Sequence, residues 1–359
     1  MSLYPLKFMP LYKDKVWGGN KIKSFGFDYS PLPNCGEMWI LSAVKDNESV
    51  VSNGFLAENT LNEVLEIYMS ELIGEKNYNH FGNDFPLLIK IIDANDKLSI
   101  QVHPDNRLAR ERGMEYGKTE MWYIIEAEPG SEIVDGFSTQ VTRDEYHKFL
   151  EMGKLEELLH IEHPENGDVF FIPAGRVHAL GKGLLLAEIQ QSSDTTYRIY
   201  DYNRPGSDGK LRQLHTSEAL DAINFAVTTD GKTHYNYKPN TTSQLVQCPY
   251  FTTNLICIDK PIRKDFAHLD SFVAYICTDG IAAVNALDTI CPIHAGECVL
   301  IPAVADSVEL HSEGPAKLLE VYIDPQQWDE EEVNHSNDFD WIARFIGDSQ
   351  EPSIPIRHR

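Results

Sequence analysis

One octapeptide occurs twice in this chain. Gly167-Asp-Val-Phe-Phe-Ile-Pro-Ala174 is echoed by Gly296-Glu-Cys-Val-Leu-Ile-Pro-Ala303, and each copy follows an aromatic-rich run, Trp122 to Ile125 and Phe272 to Cys277. A short strand closed by a Pro-containing turn, used twice in the same order, implies two related β-barrels. Most of the remaining sequence agrees, as short β-rich runs separated by Gly, Pro, Asn and Asp suit a sandwich or barrel better than a parallel sheet with crossover helices. Helical periodicity is confined to three stretches. Thr60 to Leu72 opens on a capping box of Thr60 and Glu63 and ends before Gly74; a second runs from Thr142 to about His160; a third runs from Thr216 to Phe225. The expected fold is all-β with helical inserts. Its divisions are a first barrel with inserts over 1–230, a second over 231–325, and an acidic tail over 326–359, with the polar stretch from about Thr228 to Ser243 as linker.

Charge narrows what such a fold can bind. There are 55 Asp and Glu residues against 31 Lys and Arg, a formal net charge of −24. A field of this sign repels phosphate backbones and anionic lipid, which argues against a nucleic-acid or membrane partner. An anionic substrate therefore requires a local cluster of cations. Apolar runs stay short of a membrane span, and Leu87 to Ile92 is interrupted by Lys90. The N-terminus lacks the pattern of a signal peptide, so the cytoplasm is the expected location. Six cysteines without a C-x-x-C pair, five of them in strand-like surroundings of the C-terminal third, read as reduced core thiols.

Candidate chemistry lies in the first barrel. Leu98-Ser-Ile-Gln-Val-His103 alternates strictly, so Ser99, Gln101 and His103 share one side of a strand. Such a row either faces water or lines a pocket, and a Gln-x-His pair at this spacing can place an oxygen and an imidazole on one metal. The first octapeptide continues through Gly175 to His178, putting a histidine at the start of the returning strand. The second copy aligns Ser307 at that position, so only the first barrel is equipped. Glu120, within Lys118-Thr-Glu-Met-Trp122, offers the carboxylate that a neutral His, His and Gln set needs beside a dication. His160 and His163 are the spacing of a helix end rather than of a site.

Gln101-Val-His103-Pro-Asp, Lys118-Thr-Glu120-Met-Trp-Tyr, the Gly167 to His178 segment and Gln191-Ser-Ser-Asp194-Thr-Thr-Tyr-Arg198-Ile-Tyr-Asp201 together resemble class I mannose-6-phosphate isomerases. Val16-Trp-Gly-Gly19 and Gly36-Glu-Met-Trp-Ile-Leu-Ser42 extend the match, which covers about the first 225 residues. The short spacing between Glu120 and His178 is similar to the bacterial form of that family. Relative to the general cupin pattern, Gln101 stands where a histidine is usual and Glu120 comes late.

This resemblance implies cupin barrels, one Zn(II) per chain held by Gln101, His103, Glu120 and His178, and a sugar phosphate bound across the mouth of the first barrel. The implied reaction interconverts mannose 6-phosphate and fructose 6-phosphate, with a proton leaving C2 and returning at C1 through a cis-enediol(ate). Arg198 is the implied fixed charge for the developing oxyanion, although an arginine there could instead pair with Asp194 or Asp201. Lys118 adds charge on the side of Glu120. Glu188, Asp194 and Lys118 all remain candidates for the proton shuttle. Ser99, with Lys97 nearby, is a candidate phosphate contact. Two rival readings share the barrel. An Fe(II) cupin oxygenase would use two histidines and a carboxylate, and a non-catalytic sugar-binding bicupin would need no base. The oligomeric state is left open by the sequence.

Overall fold

The computed structural model describes residues 2–206 and 208–325, and the expected acidic tail lies outside these described residues. Four β-sheets make up most of the described chain, and every strand pairing within them is antiparallel. A six-stranded sheet runs Val169–Ile172, Glu120–Ala127, Leu184–Gln191, Leu87–Ala94, Glu37–Leu41 and Leu11–Lys13 in spatial order. A five-stranded sheet contains Tyr197–Tyr200, Ile100–Val102, His178–Leu180, Ile133–Phe137 and Leu159–Glu162. The C-terminal half supplies a four-stranded sheet and most of a seven-stranded one. Leu6–Met9 and Val50–Val51 complete the latter, with Leu6 opposite Leu300.

Alternation along the strands decides how these sheets stack. In Glu120–Ala127, Trp122 and Ile124 turn toward Ile133 and Leu180 of the five-stranded sheet, while Met121 and Tyr123 turn the other way. That second face packs on Ala274, Ile276, Leu319 and Val321 of the seven-stranded sheet. The far face of the seven-stranded sheet, through Tyr275, Val299 and Leu318, meets Val284, Ile293 and Leu310 of the four-stranded sheet. Helical inserts cover the outer face of the five-stranded sheet, where Leu108, Tyr146 and Ala219 pack on Val134 and Phe137. The order of layers is helices, five strands, six, seven, four.

Local departures from expectation have local causes. The capping box at Thr60 and Glu63 forms, but the helix it opens stops at Tyr68, because Met69 takes φ +49 and the chain restarts as Ser70–Ile73. The second helix spans only Arg143–Glu151; Gly153 at φ +66 breaks it, and His160 lies in the strand Leu159–Glu162 beside Glu162 rather than at a helix end. The third helix is Thr216–Ala222. All six cysteines are free thiols, five of them buried. No helix among the described residues is long and apolar enough to cross a membrane.

Candidate metal centre and its cleft

Strand register assembles the candidate ligands. Gln101 is the cross-strand partner of both His178 and Arg198, and Glu120 opens its strand opposite Ile172 and Gln190. Backbone bonds fix the two segments that follow. The Gly175 N–H donates to the His103 carbonyl at 2.9 Å, and the Lys118 N–H donates to the Pro104 carbonyl at 3.0 Å. Gly175 sits at φ +88, a conformation glycine adopts without penalty, so the turn can return His178 toward His103.

At the centre, His103 Nε2 lies 3.5 Å from Glu120 Oε2 and His178 Nε2 lies 3.4 Å from Glu120 Oε1. The Gln101 amide nitrogen stands 3.2 Å from His178 Nε2; turning the amide over would present its oxygen at the same place. His178 Nδ1 is 2.8 Å from the Arg176 carbonyl, which fixes the proton on Nδ1 and leaves the Nε2 lone pair facing Glu120. His103, Glu120 and His178 are all buried. Burial, reinforced by Lys118, pushes His103 down to about 3, so its imidazole is neutral. Burial also lowers His178. Burial opposes the charge of Glu120, yet the Lys118 ammonium at 3.3 Å holds its carboxyl well below the usual range.

Both carboxylate oxygens of Glu120 and both ring nitrogens of His103 are buried without a hydrogen-bond partner. Leaving such groups unsatisfied costs roughly 1–3 kcal/mol each, so His103 Nε2 and the two Glu120 oxygens, which lie together, require a compensating ligand. Two neutral imidazoles, a carboxylate and an amide are a nitrogen and oxygen donor set that fits a borderline divalent metal. Among the described residues, His103, Glu120 and His178 are the one cluster of three such side chains.

A cavity of about 280 Å³ opens beside this cluster. Lys15, Lys90, Lys118, Arg198 and Arg212 line it with Glu37, Glu188 and Asp194, so cations outnumber carboxylates locally on a strongly acidic chain. Its floor is one rung of the six-stranded sheet, with Trp39 opposite Lys90, Lys90 opposite Glu188 and Glu188 opposite Trp122. Glu188 accepts from Lys90 at 2.9 Å and from the Trp122 indole at 3.0 Å. Burial works against the Lys90 charge, but Glu188, Glu37 and Asp194 together raise its pKa. Lys15 and Trp17 reach the cavity because Gly18 and Gly19 lie flat on the sheet; a Cβ on Gly19 would stand 2.3 Å from an Asp93 oxygen.

Of the residues singled out by sequence, Ser99, Gln101, Lys118, Glu188, Asp194 and Arg198 line the cavity, and His103, Glu120 and His178 form the cluster beside it. Lys97 is not brought to it. Its ammonium lies 3.8 Å from Glu156 and over the Tyr202 ring, outside the cavity lining. Arg198 pairs with neither aspartate, since Asp201 is taken by Arg204 and Arg212. Lys15, Glu37, Lys90 and Arg212 also line the cavity and were not singled out by sequence. Lys90 carried a signal, being the lone basic residue in the buried strand Leu87–Ala94.

In the C-terminal half, Ser307 faces outward, where Arg263 donates to it at 3.3 Å. The inward position is Val308, packed with Val284 and Leu310. Val273, opposite Ile301, stands where Glu120 stands opposite Ile172. The buried carboxylate persists, however. Glu320 lies between Asn254 and Tyr275 as Glu188 lies between Lys90 and Trp122, and it accepts from both neighbours.

Comparison with known proteins agrees with this geometry. Residues 5–130 match the catalytic domain of type I phosphomannose isomerase. The chain is 40% identical to mannose-6-phosphate isomerase ManA of Bacillus subtilis over 256 residues, covering 70% of this chain and 79% of that protein. It is also 40% identical to the Streptococcus mutans mannose-6-phosphate isomerase over 250 residues, covering 69% and 77%. The chain belongs to the type I phosphomannose isomerases. The crystal structure of the B. subtilis mannose 6-phosphate isomerase superposes with a TM-score of 0.79 at 32% identity, over 88% of this chain and 99% of that one. The family is one of aldose-ketose isomerases, and its members are metal-dependent, in keeping with the orphaned donor atoms of His103 and Glu120.

Proposed function

We propose that this chain interconverts D-mannose 6-phosphate and D-fructose 6-phosphate with one zinc ion per chain, held by Gln101, His103, Glu120 and His178. The observation that carries this reading is the buried, unsatisfied His103–Glu120–His178 cluster opening onto a cation-lined cavity in a chain of this family. Bound there, zinc would act as a Lewis acid toward the sugar's carbonyl and hydroxyl oxygens.

The chain's own residues do the rest. The reaction moves a proton from C2 to C1 through a cis-enediol(ate), and needs one proton carrier and one fixed positive charge. Arg198 suits the charge, having no carboxylate partner among the described residues. Glu188 is a poor carrier because Lys90 and Trp122 occupy its two oxygens; its role is to hold Lys90 at the cavity floor. Lys118, against Glu120, and Asp194, at the exposed rim, are the remaining carriers. Ser99 is kept as a phosphate contact, and Lys97 falls away.

In the same reading the five- and six-stranded sheets enclose the catalytic cupin barrel of residues 1–230. The seven- and four-stranded sheets enclose a second barrel, 231–325, that has lost its metal site, and the enzyme works in the cytoplasm. The test is a coupled assay of mannose 6-phosphate conversion on protein stripped by chelator and then reloaded. Activity that disappears and returns with about one zinc per chain is expected. No turnover with zinc bound would favour a sugar-binding protein, and oxygen uptake with iron would favour an oxygenase.

A further inference from the structure

The loop after the strand Tyr197–Tyr200 is pinned rather than loose. His215 N–H donates to the Arg198 carbonyl at 2.7 Å, Arg198 Nη1 donates to the Gln213 carbonyl at 2.8 Å, and Pro205 bridges Leu211. Closing the loop in this way brings Arg212 into the wall of the cavity that also holds Arg198 and Thr196. Asp201, buried at the loop's root, accepts from Arg212 Nε at 2.7 Å and Nη2 at 2.6 Å. This grip fixes the plane of the guanidinium and leaves its Nη1 without a hydrogen bond among the described residues. Arg204 Nη2 donates at 2.9 Å to the same Oδ1 that accepts from Arg212 Nη2, and its Nη1 is turned away to the Lys97 carbonyl and Asp96.

Arg204 divides itself between Asp201 and Asp96, and Arg212 takes Asp201, whereas the third guanidinium, Arg198, faces the cavity with a buried Nε that has no hydrogen-bond partner and no carboxylate in ion-pair contact among the described residues. Burial together with repulsion from Arg212 and Arg204 disfavours the Arg198 charge. In a protein of net charge −24, an unpaired Arg198 beside an Arg212 that keeps donors free of its aspartate makes a local place for an anion in the cavity wall. A planar, pre-oriented guanidinium is suited to a phosphate dianion because its two donors match two phosphate oxygens.

We propose that Arg212 is the specificity-determining residue that grips the substrate's phosphate, oriented by Asp201, in the cavity wall beside Arg198. The assignment rests on the sugar-phosphate reading above and supplies the phosphate contact that Lys97 does not make.

The test compares wild type with Arg212→Ala, Arg212→Lys and Arg204→Ala by two readouts, steady-state kinetics and calorimetric titration with inorganic phosphate. Losing a charge-assisted bidentate contact should raise KM for mannose 6-phosphate about 30-fold or more in Arg212→Ala, with kcat within a few-fold of wild type. Phosphate affinity should fall by a similar factor, and Arg212→Lys should fall between. Arg204→Ala, which removes the other partner of Asp201, should change phosphate affinity less than about three-fold. Equal losses in Arg204→Ala and Arg212→Ala would mean that Arg212 only braces the loop, and would overturn the proposal. So would an unchanged KM and unchanged phosphate binding in Arg212→Ala. Because phosphate binding is read without turnover, an Arg212-dependent phosphate site in a protein that fails to isomerise the sugar would sustain this inference while the isomerase reading fails.

Discussion

Buried charge sets the behaviour of individual residues around the cavity. Glu37 accepts from the Trp39 indole at 2.8 Å and pairs with Lys15 at 3.0 Å. Burial opposes its charge, but Lys90 and Lys15 outweigh it and bring the carboxyl down to about 2 from an ordinary 4.5. A carboxyl depressed in the folded state contributes stability that is fully present above its unfolded value and is lost as pH falls from about 4.5 toward 2. That contribution is about 3 kcal/mol on the linkage relation. Glu37→Gln is therefore expected to lower stability at pH 7 and to flatten the acid limb, as followed by urea unfolding from pH 7 to 3; an acid limb parallel to wild type would contradict it. Arg198→Ala is expected to keep its metal and lose at least 100-fold in kcat, since removing a preorganised charge from an oxyanion site costs about 10²–10³; metal analysis and the coupled assay check both halves. That His103, Glu120 and His178 come together was readable in sequence because strand alternation and a Pro-containing turn fix side-chain direction locally. Lys97, expected only from its nearness in sequence to Ser99, lies outside the cavity lining, where its ammonium meets Glu156 and the Tyr202 ring instead. Arg212 was unreadable because loop closure onto Arg198 depends on backbone bonds between distant residues.

Among the elements, turns decided where the sequence reading held. Thr60 and Glu63 exchange hydrogen bonds as a capping box, and Thr60→Ala should cost about 1 kcal/mol, read as a lower urea midpoint with unchanged slope. The break after Tyr68 was not foreseen, because apolar periodicity through Leu72 continues while the backbone at Met69 enters φ +49, ψ −123, a region that favours glycine. Met69 is half-exposed, so little packing is lost on truncation, and Met69→Gly should stabilise the fold by about 1 kcal/mol; a drop in melting temperature would show that the site is unstrained. The repeat was readable as two similar strand–turn–strand units, but not to the residue. The second unit takes one more residue to come round after its Pro–Ala, so the inward place of His178 falls to Val308 rather than Ser307, and a slip of one residue reverses every facing along a strand.

Across the whole molecule, the two halves share their largest core. The cluster that includes Met121, Ile189, Ala274 and Leu319 belongs to neither half alone, Phe85 lies 4.7 Å from Phe272, and Leu6–Met9 begins the chain yet pairs with Cys298–Ile301. Exposing that interface would leave a wide apolar face on each side, so neither half should survive melting of the other despite the chain's length. The candidate metal ligands His103, Glu120 and His178 all sit in the N-terminal half, which makes the coupling measurable. A ligand bound only by the folded state stabilises whatever unfolds with its site, by about 4 kcal/mol when present at 1,000 times its dissociation constant. Scanning calorimetry of zinc-loaded and chelated protein should therefore give a single endotherm that moves down by several degrees as a whole on chelation. Two endotherms, only one of which moves, would show that the shared core fails to couple the halves. Truncating Leu319 to alanine in that core offers the complementary measurement. The fully buried leucine should cost about 2–5 kcal/mol, and if the halves are coupled the melting temperature of the metal-bearing half should fall with it, although Leu319 lies in the other half.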